Sequence, residues 1–147
     1  MQAILLIHGP NLNLLGVRDS AQYGTITLSG LEKLVSAEAL SLGFNVKTFQ
    51  SNHEGALIDF IQTESANAKG IIINPGALTH YSYALRDALC DARLPCVEVH
   101  LSDISKREDW RKISVTADVC IAQVMGKKEA GYAEAVQLLH KHLLKKK

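Results

Sequence analysis

Ile71-Ile72-Ile73-Asn74-Pro75-Gly76-Ala77-Leu78-Thr79-His80 runs from β-branched residues across a Pro-Gly turn into groups that bind or move protons. Three other segments share this grammar. Residues 3–7 lead into His8-Gly9-Pro10-Asn11-Leu12-Asn13, and residues 46–49 into Gln50-Ser51-Asn52-His53-Glu54. In Val97-Glu98-Val99-His100-Leu101-Ser102 the acid and the imidazole stand inside the run itself. An open parallel α/β sheet binds its ligands outside the carboxyl ends of its strands. Polar residues set repeatedly at that point therefore describe one site, and the pattern is that of an enzyme.

Between these runs the apolar residues take helical spacing. Leu28, Leu31, Val35, Ala39 and Leu42 share one face over residues 28–42, with Thr27 or Ser29 as the start and Gly43 as the stop. Ser29 with Glu32, and Ser51 with Glu54, have capping-box spacing. The second box opens a helix that turns Leu57, Ile58 and Ile61 inward. A third helix is predicted over residues 81–91, then a strand after Pro95, a short helix over 107–112 and a strand over 119–124. The last helix is expected to bury Tyr132, Ala135, Val136, Leu139 and Leu143. Such alternation implies right-handed crossovers and helices on both faces of a parallel sheet. The expected fold is α/β, a flavodoxin-like, doubly wound sheet of five strands in a single catalytic domain over residues 1–147. Residues 9–26 show no clear element; Gly16 and Gly24 bound Arg18 and Tyr23 there, as in a functional lid.

At 147 residues, 47% hydrophobic and 21% charged, the chain has the size and composition of one soluble domain. Its 16 basic and 15 acidic groups give +1, and leaving out Lys145-Lys146-Lys147 turns this to −2. The body lacks the clustered basic footprint that nucleic acid requires. The terminal lysines either complement a helix C-terminus or are solvated. Cys90, Cys96 and Cys120 form no CxxC pair and cannot all pair with one another, which fits a reducing compartment. No basic leader opens the chain, and no apolar stretch approaches the ~18–20 residues that span a bilayer. A cytoplasmic protein with no membrane partner is expected.

Glu98 and His100 lie two apart on a strand and so share a face. A carboxylate beside an imidazole orients it and favours its charged form, which suits a general acid; the plainer reading is a structural ion pair. Unperturbed tyrosine, with a pKa of ~10, is a poor base near neutrality. The guanidinium of Arg18 would stabilise a Tyr23 phenolate able to take a proton α to a carbonyl. The plainer reading there is a solvated arginine and a packed tyrosine. Asn11, Asn13 and Asn74 flank turns, where asparagine is at home for conformational reasons; together they offer donors to hydroxyls or an oxyanion. His80 either caps the third helix or binds a ligand, and His53 packs or supports its loop. His140 and His142 face different ways on a helix. There is no zinc spacing, GxGxxG, P-loop or GxSxG. A flavin phosphate loop would need hydroxyls after the first strand, and a receiver domain an acid where Asn74 stands.

GPNLNLLG at residues 9–16, R…YG at 18–24, QSNHEG at 50–55, INPGALTHYSYALRDAL at 73–89 and VEVHLS at 97–102 closely resemble type II 3-dehydroquinate dehydratases. The resemblance extends in order from residue 4 to about residue 132. It implies a flavodoxin-like fold, no cofactor or metal, and a dodecamer of trimers. It also implies anti elimination of water from 3-dehydroquinate to give 3-dehydroshikimate, in the shikimate pathway or in quinate catabolism. By position, Tyr23 matches the base at C2 and Arg18 the residue that keeps it ionised. Asn11 matches the group that stabilises the enolate through a water. His100 matches the acid for the C1 hydroxyl, with Glu98 orienting it. Asn74, His80 and Arg111, with the backbone of Leu101 and Ser102, match the substrate-binding set, and Asp87 an acid that reaches a neighbouring subunit's site. Asp19-Ser20 departs from the usual lid, where proline follows an acidic or amide residue. Asp103, Trp110 and residues 121–130 also depart. The alternative is a non-catalytic small-molecule binding protein on the same fold.

Overall fold

Ile4, Leu5, Leu6 and Ile7 are all buried, because their strand is covered on both faces. A parallel sheet between two helical layers requires such continuous apolar runs in place of alternation. The computed structural model describes residues 1–146. In chain order it comprises β1 (Gln2–His8), α1 (Ser20–Tyr23), α2 (Leu28–Ser41), β2 (Phe44–Gln50), α3 (Glu54–Glu64), β3 (Gly70–Asn74), α4 (Tyr83–Ala92), β4 (Cys96–His100), β5 (Ala122–Met125) and α5 (Ala130–Lys145). The strands are all parallel in the order β2-β1-β3-β4-β5, the five-stranded arrangement expected. The order reverses between β1 and β3, which opens a crevice at their carboxyl ends.

Ile4, Leu6, Ile72, Val97 and Val99 meet Leu31 and Val35 of α2 and Tyr132, Val136 and Leu139 of α5 on one face. Leu5, Ile7, Ile71 and Ile73 meet Leu57 and Ile61 of α3 and Leu85 and Leu89 of α4 on the other. Leu143 is only partly buried. No helix among the described residues is long and apolar enough to cross a membrane.

Element ends differ from the sequence reading where local side-chain chemistry chose another partner. Thr27 caps α2, its hydroxyl accepting from Gly30 N at 3.1 Å, so the Ser29–Glu32 box is not what starts the helix. Ser51 does not cap α3 either: its hydroxyl accepts from His53 N at 2.9 Å in a local turn, and Glu54 accepts from Ser82 across the layer. Exposed His53 takes the cap position of α3 without a side-chain bond. Ser82 caps α4, which starts two residues later than expected, after a 3-10 turn over Gly76–His80. Residues 107–112 are no helix beyond a 3-10 turn at Asp109–Arg111, and β5 begins only at Ala122 after another such turn at Ala117–Val119. The lid contains a 3-10 turn at Leu12–Leu14 as well as α1. Lys145 ends α5 and Lys146 follows it, while Lys147 lies outside the described residues.

The turns after β1 and β3 are locked together. A side chain at Gly9 would place its Cβ 2.2 Å from Pro75 O, and one at Gly76, where φ is +61°, would meet Pro10 O at 2.9 Å. Gly9 N donates to Asn74 O at 2.8 Å across the same junction. His8, opposite Asn74 in the register, is fully buried just before it. Neither of its ring nitrogens has a hydrogen-bond partner among the described residues. Burial pushes the imidazole down from 6.5 to about 4. The folded chain thus keeps His8 neutral while the unfolded chain protonates it below 6.5. Stability should fall as pH drops from about 6.5 to about 4 and level off below, by on the order of 3 kcal/mol at most. Urea unfolding at pH 7 and pH 4.5 checks this. His8→Leu should flatten the dependence in that window, and an unchanged slope would reject the assignment.

Candidate active site

The crevice between the strand ends, the lid and the segment after β4 encloses about 510 Å³, counting space open to solvent, a size suited to a small-molecule ligand. Asn11, Arg18, Tyr23, Asn74, His80, His100, Leu101, Ser102 and Arg111 all line it, with Arg107 beside them. Glu98 stands behind His100. Asp87 does not line this crevice; it is exposed on α4.

The floor is built from backbone-directed amides. Asn11 adopts φ +71°, and its N–H donates to Asn52 Oδ1 at 2.9 Å, which also accepts from Gln50 Nε2 at 3.1 Å. Asparagine tolerates this left-handed conformation better than most residues. Asn74 Oδ1 accepts from Gly76 N at 3.0 Å, and its Nδ2 donates to the buried Tyr132 hydroxyl at 3.1 Å. Burial pushes the Tyr132 phenol up, so it stays neutral. Leu101 and Ser102 extend β4 into the site, their carbonyls accepting from Lys128 and Gly126 N–H groups at 3.2 Å each.

One wall is a dyad. His100 Nε2 lies 2.9 Å from Glu98 Oε2, which leaves Nδ1 for the crevice. Glu98 is fully buried and also accepts from the Ser114 hydroxyl at 2.9 Å, from the Thr116 hydroxyl and from Gln123 Nε2 at 2.7 Å. Burial alone would raise its carboxyl. The hydrogen bond and charge of His100, with the bonds from Thr116 and Gln123, outweigh burial and hold it at about 2. It is therefore anionic and oriented. His80 does not cap α4; its Nδ1 lies 2.7 Å from Ile113 O and so carries the proton, and its ring meets Trp110 edge-on at 5.4 Å. Burial lowers its pKa. Arg111 donates to Glu108 at 2.7 Å and stacks on Trp110 at 4.1 Å.

The opposite wall holds Arg18 against Tyr23, as the lid reading placed them, but at the ring and not at the hydroxyl. Its guanidinium lies 3.7 Å over the Tyr23 ring centroid, against the face of the ring. Arg107 Nη1 is the group that donates to the Tyr23 hydroxyl, at 2.8 Å, and it approaches Ser102 Oγ at 3.3 Å. Sequence reasoning missed Arg107 because Lys106-Arg107-Glu108 reads as a solvated charge run, and its partner is 84 residues away. Ser114, Thr116 and Gln123 were missed for the same reason: hydroxyls and an amide carry no motif until a buried charge gathers them.

The pattern of the family described as Dehydroquinase class II matches residues 2–140. A protein of Halothermothrix orenii named 3-dehydroquinate dehydratase is 52% identical over 139 residues, 95% of this chain and 94% of its own length. One of Roseiflexus castenholzii with the same name is 52% identical over 136 residues, covering 92% and 87%. The crystal structure of type II dehydroquinase from Butyrivibrio crossotus superposes with a TM-score of 0.90 at 46% identity, covering 94% of this chain and 97% of that one. The chain belongs to the class II dehydroquinases.

Ser20 is the first helical residue of α1, after Asp19, whose ψ of 110° lies outside the helical region. Proline is favoured at such a first position and asks an extended conformation of the residue before it. Ser20→Pro should therefore order the lid by at most about 1 kcal/mol. Limited trypsin digestion should show cleavage after Arg18 slowed a few-fold; unchanged cleavage would reject the compatibility of proline here.

Proposed function

We propose that this chain, acting as a single catalytic domain, converts 3-dehydroquinate to 3-dehydroshikimate by anti elimination through an enolate. The observation that carries the reading is a tyrosine with one guanidinium at its hydroxyl and another over its ring, set across one crevice from an imidazole backed by a buried carboxylate. Arg107 donates to the Tyr23 oxygen and Arg18 lies over its ring, so a phenolate formed there faces two cations. The phenolate takes the proton from C2, and the C–H electrons form the enolate at C3, stabilised by Asn11 through a water. His100 then gives its proton to the C1 hydroxyl as the C1–O bond breaks, so that water leaves. Tyr23 must return its proton to His100 before the next turnover. Asn74 and Arg111, with the backbone of Leu101 and Ser102, supply donors for the substrate's carboxylate and hydroxyls, and the unprotonated Nε2 of His80 accepts from a hydroxyl. The same product serves aromatic biosynthesis and quinate breakdown. Three free cysteines accord with a reducing, cytoplasmic setting.

Assembly belongs to the same reading. Tyr81, Tyr83, Trp110 and Ile113 are exposed large apolar residues close to the crevice mouth or on α4 beside Asp87. Such residues commonly mark an interface. A trimer, four of which form a dodecamer, would cover them and bring Asp87 to a neighbour's crevice.

Following the ultraviolet absorbance of the conjugated enone after adding 3-dehydroquinate tests the activity. Tyr23→Phe should lower kcat by at least ~10²–10⁴ with little change in substrate affinity; more than a tenth of wild-type kcat would remove Tyr23 from the role of base. Arg107→Gln should move the acidic limb of the kcat profile to higher pH, because the phenolate loses a cation, and an unmoved limb would reject that role. Sedimentation should give an active species no smaller than a trimer. A fully active monomer would overturn both the assembly and the part of Asp87.

A further inference from the structure

Gln123 lies on β5, the edge strand, directly opposite Glu98 in the β4–β5 register. Paired positions on adjacent strands present their side chains on one face. Gln123 Nε2 donates to Glu98 Oε2 at 2.7 Å, the same oxygen that meets His100 Nε2 at 2.9 Å and the Ser114 hydroxyl at 2.9 Å. Glu98 is fully buried whereas Gln123 is exposed. The amide thus forms the outer wall between this carboxylate and solvent at the sheet edge.

We propose that Gln123 is a positioning residue that sets the acid strength of His100 through Glu98. A neutral donor on the shared oxygen disperses part of the carboxylate charge. The imidazole proton is then gripped less tightly and passes more readily to the leaving hydroxyl. The inference rests on the reading of His100 as the acid. The ionisable groups around the pair are His80 and Arg111 in front and the thiols of Cys96 and Cys120 behind, with Arg18, Tyr23 and Arg107 in the same crevice. Among the described residues the Gln123 side chain bonds to Glu98 and to none of these, so a change at Gln123 acts on the acid by way of the carboxylate.

Gln123→Met keeps the length of the side chain and removes its N–H donor. The basic limb of the kcat profile should move up by about half a unit to one unit. Plateau kcat should fall about 3- to 10-fold, because a weaker acid transfers its proton less readily. KM and assembly should stay near wild type, while the melting temperature should fall by a few degrees because a buried carboxylate loses one donor. A merely structural residue would lower kcat without moving the limb. Should methionine disturb the edge strand, Gln123→Ala trims an exposed side chain and should move the limb the same way by less, since water refills the donor position. In a Glu98→Gln background the shift from Gln123→Met should vanish, the route having been removed. His100→Ala, which should abolish the basic limb, separates the two readings: if the limb survives there, His100 is not the acid. If it disappears there, an unmoved or lowered limb in Gln123→Met, or a shift that persists with Glu98→Gln, overturns the role of Gln123 alone.

Discussion

A carboxylate without exposed surface is the constraint around which the irregular part of this chain is arranged. Burying the charge of Glu98 costs several kcal/mol unless its lone pairs are met by donors. Those donors come from β4 itself, from the segment at Ser114 and Thr116, and from β5. The hydroxyls are held in turn by Thr79, 2.8 Å from Ser114 and 2.9 Å from Thr116. Val115 N donates to Thr79 O at 2.7 Å, and Arg86 to Val115 O at 2.8 Å. The chain between β4 and β5 must therefore fold back over the sheet end, and that path fixes the ring of His100.

The same segment serves the other wall. Leaving β4, it turns through Asp103, whose carboxylate accepts from Ser105 N at 3.0 Å, and delivers Arg107 to the Tyr23 hydroxyl. It then carries Arg111 and Trp110 to the crevice beside His80. One connection thus satisfies the buried anion on one side and holds the lid tyrosine on the other. The interlocked Gly9–Pro75 and Gly76–Pro10 contacts join the floor beneath them. Small changes in this connection reach both walls of the crevice.

Much of this was legible in the residues. Unbroken β-branched runs announce strands buried on both faces, and polar groups at their ends announce a site, because a parallel sheet leaves only that edge open to ligand. The Glu98–His100 pair was readable because a strand's period of two guarantees a shared face. Caps were less secure: Ser29, Ser51 and Thr27 all offer hydroxyls, and only the path of the chain decides which meets a free N–H.

The sequence by itself determined the parallel five-stranded α/β sheet, the end of it where the polar crevice opens, and the family to which its motifs belong. These follow from local periodicity and from contiguous motifs. Tertiary structure alone decided that Arg107, and not Arg18, bonds the Tyr23 oxygen, and that Gln123, Ser114 and Thr116 surround Glu98. Such contacts join residues up to 84 positions apart, through loops without periodicity. Which donor reaches a buried charge depends on where the backbone places it, and no local pattern encodes that.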